Sequence, residues 1–254
     1  MQPDQPPRRE PVFNAPTIVM AVIALLVMVQ ALRSSVDYQT DAELIVMLAF
    51  IPIRLTEAGA SLPGGALFGW TSTFTHAFLH ADWMHLTING AWLLAFGSLI
   101  ARRCGWFRFL LLYAASAVAG ALFFFVINAD QAVPLVGASG AISGLMGAAF
   151  RILFSGMEIG GLSMVREHPN EVPRMPLSVA LTDRPTLSAV AIWIGVNLVF
   201  GLGFLDFLDS GQIAWEAHLG GFLFGFLCFR PFDLGPGYKE FRAKYGGPNA
   251  DPGI

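Results

Sequence analysis

An all-α protein that crosses a membrane six times is the fold this sequence predicts, on three observations. The 254 residues are 55% hydrophobic and only 13% charged, about half the charge of a soluble domain, and mean hydropathy is +0.59. Apolar runs of roughly 16 to 22 residues recur, the length at which a helix crosses about 30 Å of hydrocarbon. Of the 15 Lys and Arg residues, all but Arg33 and Arg54 fall on one side of these runs. That positive-inside pattern predicts that both termini are cytoplasmic.

The elements follow in order. Residues 1–14 are Pro-rich and polar and are expected to form a tail. Span one covers about 16–32, with Pro16 suited to a first helical turn. No signal-peptide cleavage pattern follows it, so it is expected to stay in the protein. Residues 33–82 are expected to be a loop lying at the interface. Their apolar stretch 48–53 is too short and Pro-broken to span, and Trp70 suits the headgroup level. Span two covers 83–100, span three 106–128 and span four 139–154. A polar stretch, 155–185, carries four prolines and a solvated His168. Span five covers 187–204 and span six 213–229. The organisation is one six-helix domain, 15–230, between polar tails 1–14 and 231–254, with no internal repeat. Cys104 and Cys228 sit at the ends of runs and read as structural, not as a disulfide framework.

Spans two, four and six all run from outside to inside. Ser139 lies twelve residues before Arg151, His218 twelve before Arg230, and Asn89 thirteen before Arg102. At about 1.5 Å per residue this puts Ser139 and His218 roughly 18 Å above the inner boundary, on the order of 10 Å below the outer surface. A histidine in a membrane helix needs a partner or a watered cavity. His218 can serve as the base for Ser139, whose hydroxyl is otherwise a weak nucleophile; a helix-gluing hydrogen bond is the alternative. Glu216 falls on another helical face, so the pattern is a Ser–His dyad without a carboxylate. His85 and Asn89, four apart, share a helix face. They can present two donors to an oxyanion beside the backbone N–H of Ser139 at a helix N-terminus.

Other chemistries fit less well. Gly137-Ala138-Ser139-Gly140 is not a G-x-S-x-G elbow, because Ala141 follows and no strand pattern precedes it. His76, His80 and His85 suggest a histidine box for metal, but no HxxHH, second box or carboxylate completes one. No P-loop marks a nucleotide site. Small residues line span four (Ser139, Ser143 and Gly147, with Gly140 and Gly144 beside them) and span six (Gly221, Gly225). They predict close approach of the two helices.

Three motifs, His76-x3-His80-x4-His85-x3-Asn89, Gly137-Ala138-Ser139-Gly140 and Ala217-His218-x2-Gly221-x3-Gly225, stand in that order on three spans. Together they resemble the rhomboid intramembrane serine proteases, over about residues 44–229. The resemblance implies a rhomboid-like six-helix bundle that cleaves transmembrane segments of single-span proteins in the lipid bilayer. It implies a catalytic dyad of Ser139 and His218, with His85 and Asn89 assisting the oxyanion. His80, Gly137, Gly140, Gly221 and Gly225 support the site, and His76 is structural in the outer loop. No cofactor, metal or nucleic acid is expected. The expected setting is a bacterial inner membrane, with the site opening to the non-cytoplasmic side.

Two positions depart from the family pattern. Ser143 stands where a Tyr or Phe ring often packs on the imidazole, and Thr71-Ser72 stand where many members carry Trp-Arg. A catalytically inactive, client-binding member of the family is the alternative; it expects loss of Ser139 or His218, and both are present. A transporter fits poorly, because spans one, three and five carry no intramembrane charge.

Overall fold

In the computed structural model, which describes residues 15–59, 62–202 and 214–236, the apolar runs are helices. α1 (Thr17–Ser34), α2 (Tyr38–Leu48), α3 (Gly65–Thr75) and α4 (Trp83–Trp92) lead through a π turn (Leu93–Gly97) into α5 (Ser98–Asn128). Then come α6 (Ser139–Ile159), α7 (Gly161–Glu167), α8 (Leu177–Ala180), α9 (Arg184–Gly201) and α10 (Trp215–Cys228). Pro16 caps α1 with a ψ of 138° and does not enter its first turn. Among the described residues there is no strand, only an isolated antiparallel bridge between Phe50 and Leu135.

Among the described residues, four stretches are long and apolar enough to cross a membrane: Thr17–Ser34, Trp83–Asn128, Ser139–Glu158 and Arg184–Gly201. The second is 46 residues long and breaks at Gly105, where φ is 73°. Each side of the break leaves about 20 residues, enough for one crossing. The tails and the expected ends at Phe204 and Ile213 lie outside the described residues.

α6 is the centre of the bundle. Its apolar window is 78% buried, against 28% for α1 and 6% for α9. α5 and α10 enclose it, and small residues let them. A Cβ on Gly225 would lie 1.8 Å from the Gly144 carbonyl oxygen, and one on Gly221 would lie 1.9 Å from that of Gly140. Lipid supplies no hydrophobic drive between helices, so backbone contact of this kind is what holds them together. The seam runs through Gly140 and Gly144 of α6, one step round from the Ser139–Ser143 row, and meets that row at Gly147, where a Cβ would lie 2.3 Å from the Phe222 carbonyl oxygen.

The connection 33–82 is folded, not a bare loop. Asp37 caps α2 by accepting the Thr40 N–H (3.0 Å) and hydroxyl (2.7 Å). Those bonds hold its carboxyl below the usual range, the hydroxyl's foremost. Arg54 is buried and donates to the carbonyls of Val46 and Pro63. Arg33 pairs with Asp41 (2.7 Å) and donates to the His80 carbonyl (2.7 Å). The two cations that break the charge asymmetry are therefore spent as interior ties.

Of the arginines taken to mark the inner boundary, Arg151 lies inside the fold, as does Arg103 beside Arg102, while Arg230 is exposed. α6 runs on to Ile159, and buried Arg151 donates to the carbonyls of Met175 (2.8 Å) and Phe226 (3.0 Å). Arg103 pairs with Asp233 (2.6 Å) and donates to the carbonyls of Pro169 (2.6 Å) and Val172. A depth counted from these residues is thus a distance from the tied end of the bundle.

Candidate active site

The segment leading into α6 is pinned to the first connection. Phe50 and Leu135 exchange backbone hydrogen bonds of 3.1 and 2.8 Å, and the Gly137 N–H donates to the His76 carbonyl at 3.0 Å. Gly137 has a φ of 121°, a region open to glycine and costly for other residues. A Cβ there would lie 2.8 Å from His85 Cε1, 2.9 Å from His85 Nε2 and 3.6 Å from Ser139 Oγ. The imidazole and the hydroxyl therefore converge on the bare backbone of Gly137. Ser139, half-buried, is the first residue of α6. Its N–H is among those that a helix start leaves without an intrahelical acceptor, at the positive end of the helix dipole.

α4 sets the donors opposite. Asp82 accepts the His85 N–H at 2.7 Å and so starts the helix just before His85. Asn89 follows one turn later on the same face. The Ala81 N–H reaches His85 Nδ1 at 3.5 Å; that acceptor role leaves the proton on Nε2, beside Gly137. The His80 ring meets the His85 ring edge-on, with centroids 5.1 Å apart. Asn89 is 3% exposed, and its Nδ2 has no acceptor among the described residues; neither ring nitrogen of His80 has a partner there. Buried polar groups of this kind are rare and call for an explanation. His76 is buried and donates from Nδ1 to the Ser72 carbonyl (3.0 Å), so the segment carrying Thr71-Ser72 is internally tied.

α10 brings the second histidine. The Ala217 carbonyl oxygen lies 3.3 Å from where a Cβ on Gly140 would sit. Ser139 and His218, the residues next to that contact, therefore stand at one level. His218 Nδ1 is 2.7 Å from Asn197 Oδ1 on α9, and Asn197 Nδ2 donates to the Trp193 carbonyl at 2.9 Å. Sequence reasoning missed Asn197; its one signal was a polar amide inside an apolar run. Glu216 accepts from Asn128 Nδ2 at 3.2 Å, which engages it with the end of α5. Among the described residues no three His, Cys, Asp or Glu side chains are grouped to hold a metal. The arrangement offers a hydroxyl, imidazoles and amide donors, the groups that acyl transfer uses.

Comparison with known proteins identifies the family. Residues 67–231 match the model of the rhomboid domain. YdcA of Bacillus subtilis (strain 168), provisionally named a rhomboid protease, is 34% identical over 180 residues, covering 69% of this chain and 75% of YdcA. RHOMBOID-like protein 1 of Arabidopsis thaliana is 31% identical over 182 residues, 70% of this chain but 39% of that protein. The rhomboid protease GluP of Bacillus subtilis (strain 168) is 29% identical over 159 residues, 63% of this chain and 25% of GluP. The matched stretch thus spans most of YdcA and well under half of the two longer relatives. On the extent of these matches, this chain belongs to the rhomboid family and is an integral, multi-pass membrane protein.

Proposed function

We propose that this chain is an intramembrane serine endopeptidase that cleaves transmembrane segments of single-span proteins with a Ser139–His218 dyad. The observation that carries the reading is the convergence of Ser139 Oγ and His85 Nε2 on Gly137, at the N-terminus of the most buried helix. The Gly140–Ala217 contact supports it by setting His218 at the level of Ser139.

The chemistry follows from the groups. Ser139 Oγ attacks the scissile carbonyl carbon as His218 Nε2 takes its proton. The oxyanion that forms is met by His85 Nε2–H, Asn89 Nδ2–H and the Ser139 N–H, dipoles already oriented by the fold. Collapse expels the amine, which leaves with the proton from His218. Water then gives its proton to His218, attacks the acyl carbon and frees Ser139. The substrate helix must unwind to offer its amide, so its outer segment contains small or helix-breaking residues.

The bundle crosses six times within 15–230: α1, the two halves of 83–128 either side of Gly105, α6, α9 and α10. Both termini are cytoplasmic, between tails 1–14 and 231–254. The site opens to the non-cytoplasmic side of a bacterial inner membrane through a watered cavity, since hydrolysis needs water that lipid does not supply. The test is labelling with a fluorophosphonate probe. Wild-type protein should label, and Ser139→Ala should neither label nor cleave a single-span substrate. Equal labelling of Ser139→Ala would return the chain to the inactive, client-binding alternative.

A further inference from the structure

We propose that Asn197 is a positioning residue that fixes the tautomer and orientation of His218; the inference rests on the reading of His218 as the base. The argument starts from the amide. Asn197 Nδ2 donates to the Trp193 carbonyl of its own helix at 2.9 Å, which settles which end of the amide is nitrogen. The oxygen therefore faces His218 Nδ1, 2.7 Å away, and can only accept. Nδ1 must then carry the proton, and the lone pair rests on Nε2, the nitrogen that has to receive the serine proton.

Among the described residues nothing else in the site does this work. Ser143 supplies no ring one turn below Ser139, and Glu216 is bonded to Asn128. Among the described residues, the titratable side chains at this end of the bundle include His76, His80, Asp82 and His85 before and on α4 and Glu216 on α10; the described α9 and α6 faces present Asn197 and Ser139. A neutral amide is thus the orienting third group, in the manner of Cys-His-Asn sites. It comes from α9, a helix whose apolar window is only 6% buried.

The test uses the full-length protein in micelles, with cleavage and fluorophosphonate labelling followed across pH. Asn197→Ala should lower kcat by at least about 10-fold, bounded by the roughly 10⁴-fold seen where a tautomer is reversed, with little change in KM. Asn197→Asp keeps an acceptor for Nδ1–H and should restore most of that loss. Its carboxylate favours the imidazolium, so the acid limb of the pH profile should move to higher pH. Wild-type kcat in Asn197→Ala, or an unmoved acid limb in Asn197→Asp, overturns the assignment. If Asn197→Ala does not fold, as judged by thermal unfolding, the limb shift in Asn197→Asp decides alone. Labelling of Ser139→Ala at the wild-type rate would instead sink the reading of the dyad, whatever Asn197 variants do.

Discussion

The same three helices, α5, α6 and α10, end in two opposite ways. At the tied end, Arg103 and Arg151 are buried but engaged: Arg103 by Asp233 and two carbonyls, Arg151 by the carbonyls of Met175 and Phe226. At the other end lie Ser139, His85, His80, Asn89 and His218, and there Asn89 Nδ2 and both nitrogens of His80 are buried without partners among the described residues. Buried polar groups that satisfy one another make a structure rigid; those that do not cost stability. One end is held by charged ties, although Arg174 Nε and Nη1 and Ser155 Oγ there also lack hydrogen-bond partners among the described residues; the other gathers the groups of the candidate site. Substitutions at the two ends should therefore separate cleanly into effects on stability and effects on rate.

The largest effects belong to the open end. His85→Ala and Asn89→Ala should each lower turnover by about 10² to 10³, the 2.7–4 kcal/mol that one oxyanion donor contributes. Melting should hardly change, because neither side chain donates a hydrogen bond to another group among the described residues. Steady-state cleavage beside a thermal unfolding curve checks both halves, and a fall under threefold in both variants would remove the donors from the mechanism.

Next comes the seam that joins the ends. Gly225→Leu puts a side chain where a Cβ alone would stand 1.8 Å from the Gly144 carbonyl. α6 and α10 must part, and turnover should fall by at least about 10², since a displacement of about 1 Å can cost that much. This variant should also melt earlier, which distinguishes it from the oxyanion pair. Wild-type cleavage by folded Gly225→Leu would show that this contact does not align Ser139 with His218.

At the tied end the sign reverses. Asp233→Ala leaves the Arg103 guanidinium buried without its counter-charge and should destabilise by about 3 kcal/mol. That is the low end of the range for a broken buried pair, because the Pro169 and Val172 carbonyls remain. Turnover per folded molecule should stay within about twofold of wild type. A large loss of rate at full folding would mean that the two ends are coupled. The smallest effect is expected from millimolar EDTA, which should leave activity in micelles unchanged; inhibition reversed by added zinc or iron would return the histidines to a metal role.

Much of this comparison was readable in the chain before folding. The apolar runs became helices, and the small residues of spans four and six met, because length and side-chain size decide both. The folded state of 33–82 was harder to read. α2 is only eleven residues, and its signal is the Asp37 cap rather than an apolar run. Arg151 misled for a physical reason: a guanidinium that snorkels to water and one that ties buried carbonyls look alike in sequence. Asn197 was passed over because intramembrane charge was sought, whereas a neutral amide holds the imidazole.

The seam between α6 and α10 also orders events during synthesis. Gly140 and Gly144 pack their backbones against Ala217, Gly221 and Gly225 of α10, the last of the described α-helices. His218 is made about 80 residues after Ser139, on the order of 4–16 s at 5–20 residues per second. If Ser139 and His218 act as proposed, the nascent chain holds a nucleophile with no base throughout that interval, and α6 has one flank open. On the proposed chemistry, a ribosome that stalls before α10 leaves an inert protein, and neighbouring membrane chains are exposed to cleavage only after the final helix has docked.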